Sequence, residues 1–222
     1  MPTRHAVLVH GSFSSERSWD PILEGLRAGG VTPHPVCLPG HGRRADESSP
    51  TIDLHTHARA IVEHVVAHDL QSIMLVGHSY GGMPMTQAWD DLRGRVAAVV
   101  YVDAGVPVDG QCQLEMLDDD IAAMTRQIAA DNGGMLPAPT RDHETWPLSI
   151  AALTTPLRLR EPLPVGVPRT LVLATGNTGY HHQQAQELRG QPDWTVIEVD
   201  SGHNVIGEQP EFLVDTILHC SR

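Results

Sequence analysis

The chain contains no lysine, so all fifteen of its basic side chains that stay charged at neutral pH are arginines. No mechanism that requires a lysine side chain is therefore open to it. Cysteine is also scarce, with only Cys37, Cys112 and Cys220 among the 222 residues. Because three is an odd number and the spacings are unrelated, the cysteines indicate neither a disulfide framework nor a zinc site. This cysteine usage fits a reducing compartment, and we expect a cytoplasmic protein.

Long apolar runs are absent as well. The longest, Val96–Val102, is far too short to cross a bilayer, and the first residues contain no small-residue cleavage site of the kind that ends a secretory signal. The formal net charge is −12, and no basic patch interleaved with aromatic residues occurs. This charge balance argues against nucleic acid as a partner. We expect a small-molecule substrate, no membrane partner, and a monomer or homodimer.

The 222 residues, of which 41% are apolar and 19% charged, predict one globular domain. Short β-like runs alternate with stretches of helical periodicity, which is typical of βαβ units. The fold class is therefore α/β, with a mostly parallel twisted sheet of about six strands and helices on both faces. The predicted strands are His5–His10, His34–Leu38, Ser72–Gly77, Val96–Val102, Arg169–Thr175 and Trp194–Asp200.

One interval is too long for an ordinary crossover between strands, residues 103 to 168. It predicts a small helical cap inserted at about 106–166. Apolar residues from Leu114 to Ile128 mark one amphipathic helix, and those from Trp146 to Leu153 suggest a shorter one. These helices offer candidates for the wall of an apolar substrate pocket, although packing against the sheet explains most of them equally well. The candidate pocket residues are Phe13, Leu117, Ile121, Met124 and Trp146.

Ser79 lies in the segment Gly77-His78-Ser79-Tyr80-Gly81, which matches the pattern G-x-S-x-G. An apolar strand precedes it and a helix-compatible segment follows, as a nucleophile elbow requires. Glycines are needed at both ends because the chain reverses so tightly that side chains there collide with neighbouring backbone. The turn exposes the serine hydroxyl at the positive end of a helix. The pattern predicts that Ser79 is a nucleophile; the alternative is an ordinary glycine-rich turn.

The end of the first strand, "LVHGSF", is the second candidate element of the site. A tetrahedral intermediate needs two backbone N–H groups directed at its negatively charged oxygen. In an elbow arrangement one belongs to the residue after the serine, here Tyr80. The other belongs to the exit loop of the first strand, where Ser12 is the favoured candidate and Phe13 the alternative. Gly11 lets that loop approach closely.

His203 is the best candidate for a general base among fourteen histidines. It lies after the last predicted strand and before a helix that opens at Pro210. In that loop its imidazole is able to reach the serine and accept its proton. His78 and His10 lie beside the elbow and the exit loop, where structural roles are expected for both.

Five segments in order, "VLVHGSF", "LPGHGR", "LVGHSYGG", "VVYVDAGVP" and "SGHN", resemble the α/β-hydrolase fold superfamily over nearly the whole length. Within it they resemble the small-capped esterases that include plant methylesterases and hydroxynitrile lyases. The resemblance implies acyl transfer to Ser79, followed by hydrolysis of the acyl-enzyme by a water that His203 activates. It implies no cofactor. The expected substrate is a small or medium-sized, largely apolar carboxylic ester or thioester.

The acid that orients the histidine departs from the pattern of these relatives, in which it commonly follows the penultimate strand. Here that segment, "TLVLATGNTGYHH", holds Asn177 and no carboxylate. An amide does not stabilise an imidazolium as a carboxylate does. Asp103 follows the neighbouring strand and faces the same edge of the sheet, so we predict that it is the acid. The alternative is a dyad helped by Asn177 or water.

Metal binding is not expected. His64 and His68 have the i, i+4 spacing of a chelating pair, but no carboxylate or cysteine completes a site. The acidic run at residues 118–120 lacks the loop spacing of a calcium site.

Two other functions stay open. One is a lyase, a cyclase or a carbon–carbon bond hydrolase that uses the same Ser79 and His203, for example on a polyketide-like intermediate. The hydroxynitrile-lyase version is disfavoured because those enzymes are taken to need a lysine. The other is a ligand-binding protein without catalysis on the same scaffold.

Overall fold

A computed structural model describes residues 5–140, 144–177 and 179–221. Six parallel strands form one sheet, and two short strands form a separate antiparallel pair. The strands of the main sheet are β1 His5–Val9, β2 Thr32–Val36, β3 Ile73–His78, β4 Val96–Val102, β7 Arg169–Ala174 and β8 Trp194–Val199; the pair consists of β5 Met135–Leu136 and β6 Leu148–Ser149. The predicted α/β class with about six strands is confirmed.

Eight α-helices are found among the described residues. They are α1 Asp20–Ala28, α2 Leu54–Ala67, α3 Gly82–Leu92, α4 Asp119–Asp131, α5 Ile150–Thr154, α6 Tyr180–Leu188, α7 Val205–Glu208 and α8 Pro210–Cys220. A short 3-10 helix precedes each of the first four α-helices. None of the helices in the described part of the chain has the length and apolar character needed to span a membrane.

The strand order across the sheet is β2-β1-β3-β4-β7-β8. The chain goes from β1 outward to β2, then returns to pair β3 with the other side of β1. Because all the strands run in the same direction, their carboxyl ends meet at one edge. Sites in open α/β sheets form at this edge, next to the strands where the order reverses. Here those strands are β1 and β3.

Alternating side chains of the strands feed two cores, one on each face of the sheet. Val7 and Val9 of β1 point to the face covered by α2 and α3, whereas Ala6 and Leu8 point to the face covered by α1 and α8. All four side chains are fully buried. Burial of a leucine or valine side chain contributes about 1.5–3 kcal/mol, so the two cores fix the central strands from which the candidate site projects.

The segment between β4 and β7 differs from the sequence prediction. The single amphipathic helix expected from Leu114 to Ile128 is broken, because Leu117 is extended (φ −98°, ψ 157°) between a 3-10 turn and α4. The shorter helix expected from Trp146 begins only at Ile150, since residues 148–149 pair with β5 instead. Residues 141–143 of this segment lie outside the described residues. That the segment acts as a cap remains a prediction.

Candidate active site

Ser79 lies between β3 and α3 in a tight turn, with a φ of +53° that a residue other than glycine adopts only under strain. The flanking glycines explain how the turn closes. A Cβ on Gly77 would lie 2.8 Å from the carbonyl carbon of Gly81, and a Cβ on Gly81 would lie 2.4 Å from the carbonyl oxygen of Val9. Any side chain at either position would therefore force the elbow apart.

His203 lies in the loop between β8 and α7, with its ring directed at the serine. Its Nε2 is 2.9 Å from Ser79 Oγ, a distance at which the hydroxyl donates to the imidazole. The loop is held in place by His78, whose Nε2–H donates to the carbonyl oxygen of His203 over 2.8 Å. Desolvation, together with the neighbouring His203, lowers the pKa of His78 to about 4, which keeps it neutral as a structural donor. The two predicted partners thus meet although 124 residues separate them.

Asp103 follows β4 and is completely buried. Its Oδ2 accepts the Nδ1–H of His203 over 2.6 Å, and its Oδ1 accepts the backbone N–H of Ala174 over 3.1 Å. Burial alone would raise the pKa of this carboxyl, but the hydrogen bonds from His203 and Asn177 outweigh it and hold the pKa below its ordinary value. Asp103 is therefore ionised at neutral pH and fixes the imidazole with its Nε2 free to accept a proton.

Asn177 occupies the loop after β7, where the acid was expected from the resemblance. Its Nδ2 donates to Asp103 Oδ2 over 2.6 Å and also lies 3.2 Å from Nδ1 of His203. Since that Nδ1 already gives its proton to Asp103, it has no lone pair for the amide. Asn177 therefore supports the carboxylate and does not replace it. The sequence predicts the position of Asn177 in the loop after β7 but gives no indication of its hydrogen bond to Asp103.

The exit loop of β1 packs directly against the elbow. A Cβ on Gly11 would lie 3.0 Å from Cβ of Ser79, so a larger residue there would press against the nucleophile turn. Ser12 and Tyr80 line one cavity together with Ser79. The phenol of Tyr80 is turned inward, where it is 2.8 Å from Nδ1 of His57. Only the backbone of Tyr80 is thus available to a ligand, as an oxyanion-binding amide requires.

The cavity above Ser79 has a volume of about 530 Å³. Most of its wall is apolar and comes from the segment between β4 and β7. The lining residues outside the elbow and exit loop are Gln113, Leu117, Thr125, Ile128, Leu136, Pro137, Ala138, Pro139 and Leu153. This volume falls within the range of sites for small organic molecules.

Two of the five predicted pocket residues, Phe13 and Leu117, line this cavity. Ile121 and Met124 do not, and their exposed fractions are 44% and 54%. Thr125 and Ile128 line it instead. They follow Ile121 by four and seven residues on the same face of α4, so the cavity adjoins the later turns of this helix and not its first turn. Trp146 also lies outside it.

Trp146 nevertheless contacts the exit loop, because its backbone N–H donates to the carbonyl oxygen of Phe13 over 3.0 Å. The residues at 136–139 were missed altogether, since a two-residue strand followed by prolines gives no periodic signal.

No group of three or more histidine, cysteine or acidic side chains in the described ranges is arranged to hold a metal ion. His64 and His68, the spaced pair noted in the sequence, have rings 4.4 Å apart, and Nδ1 of His68 is 2.8 Å from the carbonyl oxygen of His64.

Comparison with known proteins agrees with this geometry. A model of the alpha/beta hydrolase family matches residues 6–216. The chain belongs to the α/β-hydrolase family. The predicted resemblance is confirmed, and its curated relatives include esterases.

Among these α/β-hydrolases, the chain is 28% identical to the carbendazim-hydrolysing esterase of Nocardioides sp., over 95% of this chain and 97% of that protein. It is 31% identical to methyl jasmonate esterase 1 of Vitis vinifera, over 47% of this chain and 40% of that protein. In the solved structures, an extracellular α/β-hydrolase from a Paenibacillus species superposes with a TM-score of 0.81 at 21% identity, covering 98% of this chain and 99% of that one. The chain is an ester-hydrolysing enzyme of the serine hydrolase type, as predicted.

Proposed function

We propose that this α/β-hydrolase cleaves small to medium-sized, largely apolar carboxylic esters or thioesters through an acyl-enzyme on Ser79. The observation that carries the proposal is one imidazole between two partners. His203 lies 2.9 Å from Ser79 Oγ through Nε2 and 2.6 Å from Asp103 Oδ2 through Nδ1. A hydroxyl, a base and a group that orients the base are the parts that nucleophilic acyl transfer needs.

In the first half of the reaction, Ser79 Oγ attacks the carbonyl carbon of the substrate while Nε2 of His203 takes the hydroxyl proton. The negative charge that develops on the carbonyl oxygen is stabilised by the N–H groups of Ser12 and Tyr80. Removal of one such donor typically costs about 10²–10³ in rate. Asp103 stabilises the imidazolium that has formed. His203 then gives its proton to the departing alcohol or thiol, which leaves the acyl group on Ser79.

In the second half, a water enters where the alcohol left, and His203 takes one of its protons as the water attacks the acyl carbon. A second tetrahedral intermediate forms at the same pair of amides. When it collapses, the acid product leaves and the proton returns from His203 to Ser79. No cofactor is needed for either half.

The nucleophile is tested with a fluorophosphonate probe, which labels an activated serine irrespective of the natural substrate. We expect one label on Ser79, identified by peptide mass spectrometry, and no label on Ser79→Ala. Ser14, an exit-loop serine outside the proposed site, provides the matched control, so Ser14→Ala should be labelled like the wild type. Unlabelled Ser79 in the folded wild-type protein would contradict the proposal and favour a ligand-binding protein.

The substrate class is supported by the size and apolar wall of the cavity. We expect kcat/KM to rise with acyl length in a series of chromogenic esters and thioesters until the cavity of about 530 Å³ is filled, and then to fall. Methyl esters and carbendazim belong in the panel because relatives carry the names methyl jasmonate esterase and carbendazim-hydrolysing esterase.

A bulky residue in the wall should shift this optimum. Leu117→Trp narrows the cavity and should lower kcat/KM for the longest good substrate by at least about tenfold, the smallest effect expected when one methylene group no longer fits. Met124→Trp is the matched control, because Met124 belongs to the same segment but is exposed and does not line the cavity. An equal effect of both substitutions would place the substrate elsewhere.

A cytoplasmic location belongs to the same proposal. It is supported by the three cysteines, which are all unpaired, so that no disulfide requires an oxidising compartment. Fractionation of the native host, with detection of the chain in the cytosolic fraction, tests it.

A further inference from the structure

A second imidazole lies next to the proposed triad. His181, in the first turn of α6, has a side chain that is 17% exposed, and its Nε2 is 3.8 Å from Asp103 Oδ1. Its ring is nearly parallel to that of His203, with 6.5 Å between the centroids. The mechanism above gives His181 no role.

The hydrogen bonds of Asn177 to Asp103 and His181 show which nitrogen of the His181 ring carries no proton. Nδ2 of Asn177 lies 2.6 Å from Asp103 Oδ2 and 3.0 Å from Nε2 of His181. An amide has two hydrogens, and the carboxylate takes one of them. The other is donated to His181, which is possible only if Nε2 of His181 carries a lone pair. His181 is therefore neutral in this arrangement.

We propose that His181 is a positioning residue which, in its neutral form, holds the amide of Asn177 so that it donates to Asp103. This inference rests on the proposed function, since it concerns the orientation of His203 toward Ser79. If Nε2 of His181 gains a proton, it faces the amide hydrogens donor to donor. The amide then turns its oxygen toward His181. Because the same atom of the amide also faces Asp103, an oxygen now lies against the carboxylate, and the hydrogen bond from Asn177 to Asp103 is lost.

Every charged or titratable group around His181 bears on its protonation. Burial lowers the pKa of His181, Asp103 opposes that effect, and His203 and the adjacent His182 lower the pKa further. The positive end of α6 also disfavours a cation in its first turn. Since the pKa lies below its ordinary value, His181 is neutral at pH 7 and gains its proton only in more acidic solution.

The loops that hold this cluster are closely packed. The N–H of Gly176 donates to the carbonyl oxygen of Ser201 over 2.9 Å, and a Cβ on Gly176 would lie 2.8 Å from that same oxygen. The loop with Asn177 is thus joined to the loop with His203. A change in the amide orientation is transmitted to Asp103 and His203 rather than absorbed by loop movement.

The test compares the fluorophosphonate labelling rates of Ser79 in the wild type and in His181→Gln at pH values from about 8 to about 5. Glutamine places a hydrogen-bond acceptor near the position of Nε2 but does not titrate. Protonation of His203 slows the labelling of both proteins, so the rates are compared as the ratio of wild type to variant. Direct repulsion between the two imidazoles acts in the opposite sense to the expected effect, because a proton on His181 opposes one on His203. We expect the ratio of wild type to variant to be near one at pH 8 and to fall about tenfold in acid, near the lower end of the range for loss of one hydrogen bond to a charged group.

His182→Gln is the matched control, because His182 neighbours His181 but bonds the carbonyl oxygen of Ala174 instead of Asn177. Because this variant keeps His181, it should retain the decline of the labelling rate in acid, displaced toward higher pH since His182 lowers the pKa of His181. A pH-independent ratio for His181→Gln would overturn the inference while leaving the proposed function intact, whereas a wild type that is not labelled at all would overturn the proposed function itself.

If His181→Gln does not fold, the wild type alone still decides the question. NMR titration of the His181 Cε1–H should then give a pKa that matches an additional step in the acid limb of the labelling rate. A smooth acid limb with the dependence of one proton only would contradict the inference.

Discussion

Strands β4 and β7 lie side by side, yet their carboxyl ends offer His203 two different groups. β4 is followed by Asp103, a fully buried carboxylate 2.6 Å from Nδ1 of His203. β7 is followed by Asn177, whose amide lies 3.2 Å from the same nitrogen but donates to Asp103. Both positions reach the imidazole, and only one carries a charge. In the proposed mechanism, the identity of one side chain therefore decides which strand supplies the acid, and the neighbouring strand provides a hydrogen-bond donor to it.

Loss of the carboxylate at the end of β4 should have the largest effect. Asp103→Asn keeps the size of the side chain but removes the charge that stabilises the imidazolium and selects its tautomer. We expect kcat for a good ester to fall about 10⁴-fold, as the same change does in a serine protease. Steady-state kinetics, with circular dichroism to show folding, provides the measurement. A loss of less than tenfold would mean that Asp103 is structural.

Moving the carboxylate from the end of β4 to the end of β7 should have the next largest effect on activity. In the double variant Asp103→Asn, Asn177→Asp, the carboxylate stands where the amide now lies 3.2 Å from the imidazole. We expect it to recover at least about 100-fold of the activity lost in Asp103→Asn, because orientation of the base depends on the carboxylate and not on its strand. Asp103→Asn, Asn177→Ala is the control and should recover nothing. Equal activity of the two double variants would refute the equivalence of the two strand ends.

Removal of the amide alone should have a smaller effect. Asn177→Ala takes one hydrogen bond from Asp103 but leaves those from His203 and Ala174. We expect kcat to fall by about tenfold, near the lower end of the range for one hydrogen bond to a charged group, because two other donors to Asp103 remain. KM should not change, because Asn177 does not line the cavity. A loss as large as that of Asp103→Asn would favour a dyad that relies on Asn177.

The smallest expected effect is on the free energy of unfolding. A carboxylate at position 103 stabilises the fold as the pH rises, whereas a second carboxylate at position 177 destabilises it. The pKa of Asp103 is held below its ordinary value, so its contribution to wild-type stability is present above the unfolded pKa and is lost as the pH falls through the folded pKa. In Asn177→Asp a second carboxylate lies beside it, and like charges raise the pKa of such a pair.

The single variant should therefore lose about 1–2 kcal/mol relative to the wild type as the pH rises from about 4 to 7. Urea unfolding at a series of pH values measures this. The double variant with the acid moved contains one carboxylate and should not show the loss. If it does, the cause is the substitution at 177 itself rather than repulsion between the two groups.

The sequence was most informative where local geometry and chemistry coincide. Gly77, Ser79 and Gly81 predict their own strained turn, and the position of His203 after the last strand is enough to select it among fourteen histidines. Asp103 was predicted because strand ends share one edge of a parallel sheet. None of these inferences needed the packing of side chains.

The remaining features depend on contacts that no local pattern encodes. The amide of Asn177 meets Asp103, which is 74 residues away, and its second partner, His181, depends on how the loop after β7 turns. The pocket wall was predicted from a helical phase that runs through Leu117, where the chain is in fact extended. Within α4, periodicity groups Ile121, Met124 and Ile128 on one stripe, but which turn of the stripe the cavity adjoins depends on tertiary packing, and of these three only Ile128 lines it.

The central claim is that the proton on Nδ1 of His203 is shared with Asp103 and not with Asn177. The ¹H NMR spectrum of protein with ¹⁵N-labelled histidine reports this proton directly as a far-downfield signal bonded to nitrogen. We expect the signal to be present in the wild type and in Asn177→Ala and to disappear in Asp103→Asn. A signal that survives in Asp103→Asn and is lost in Asn177→Ala would contradict it.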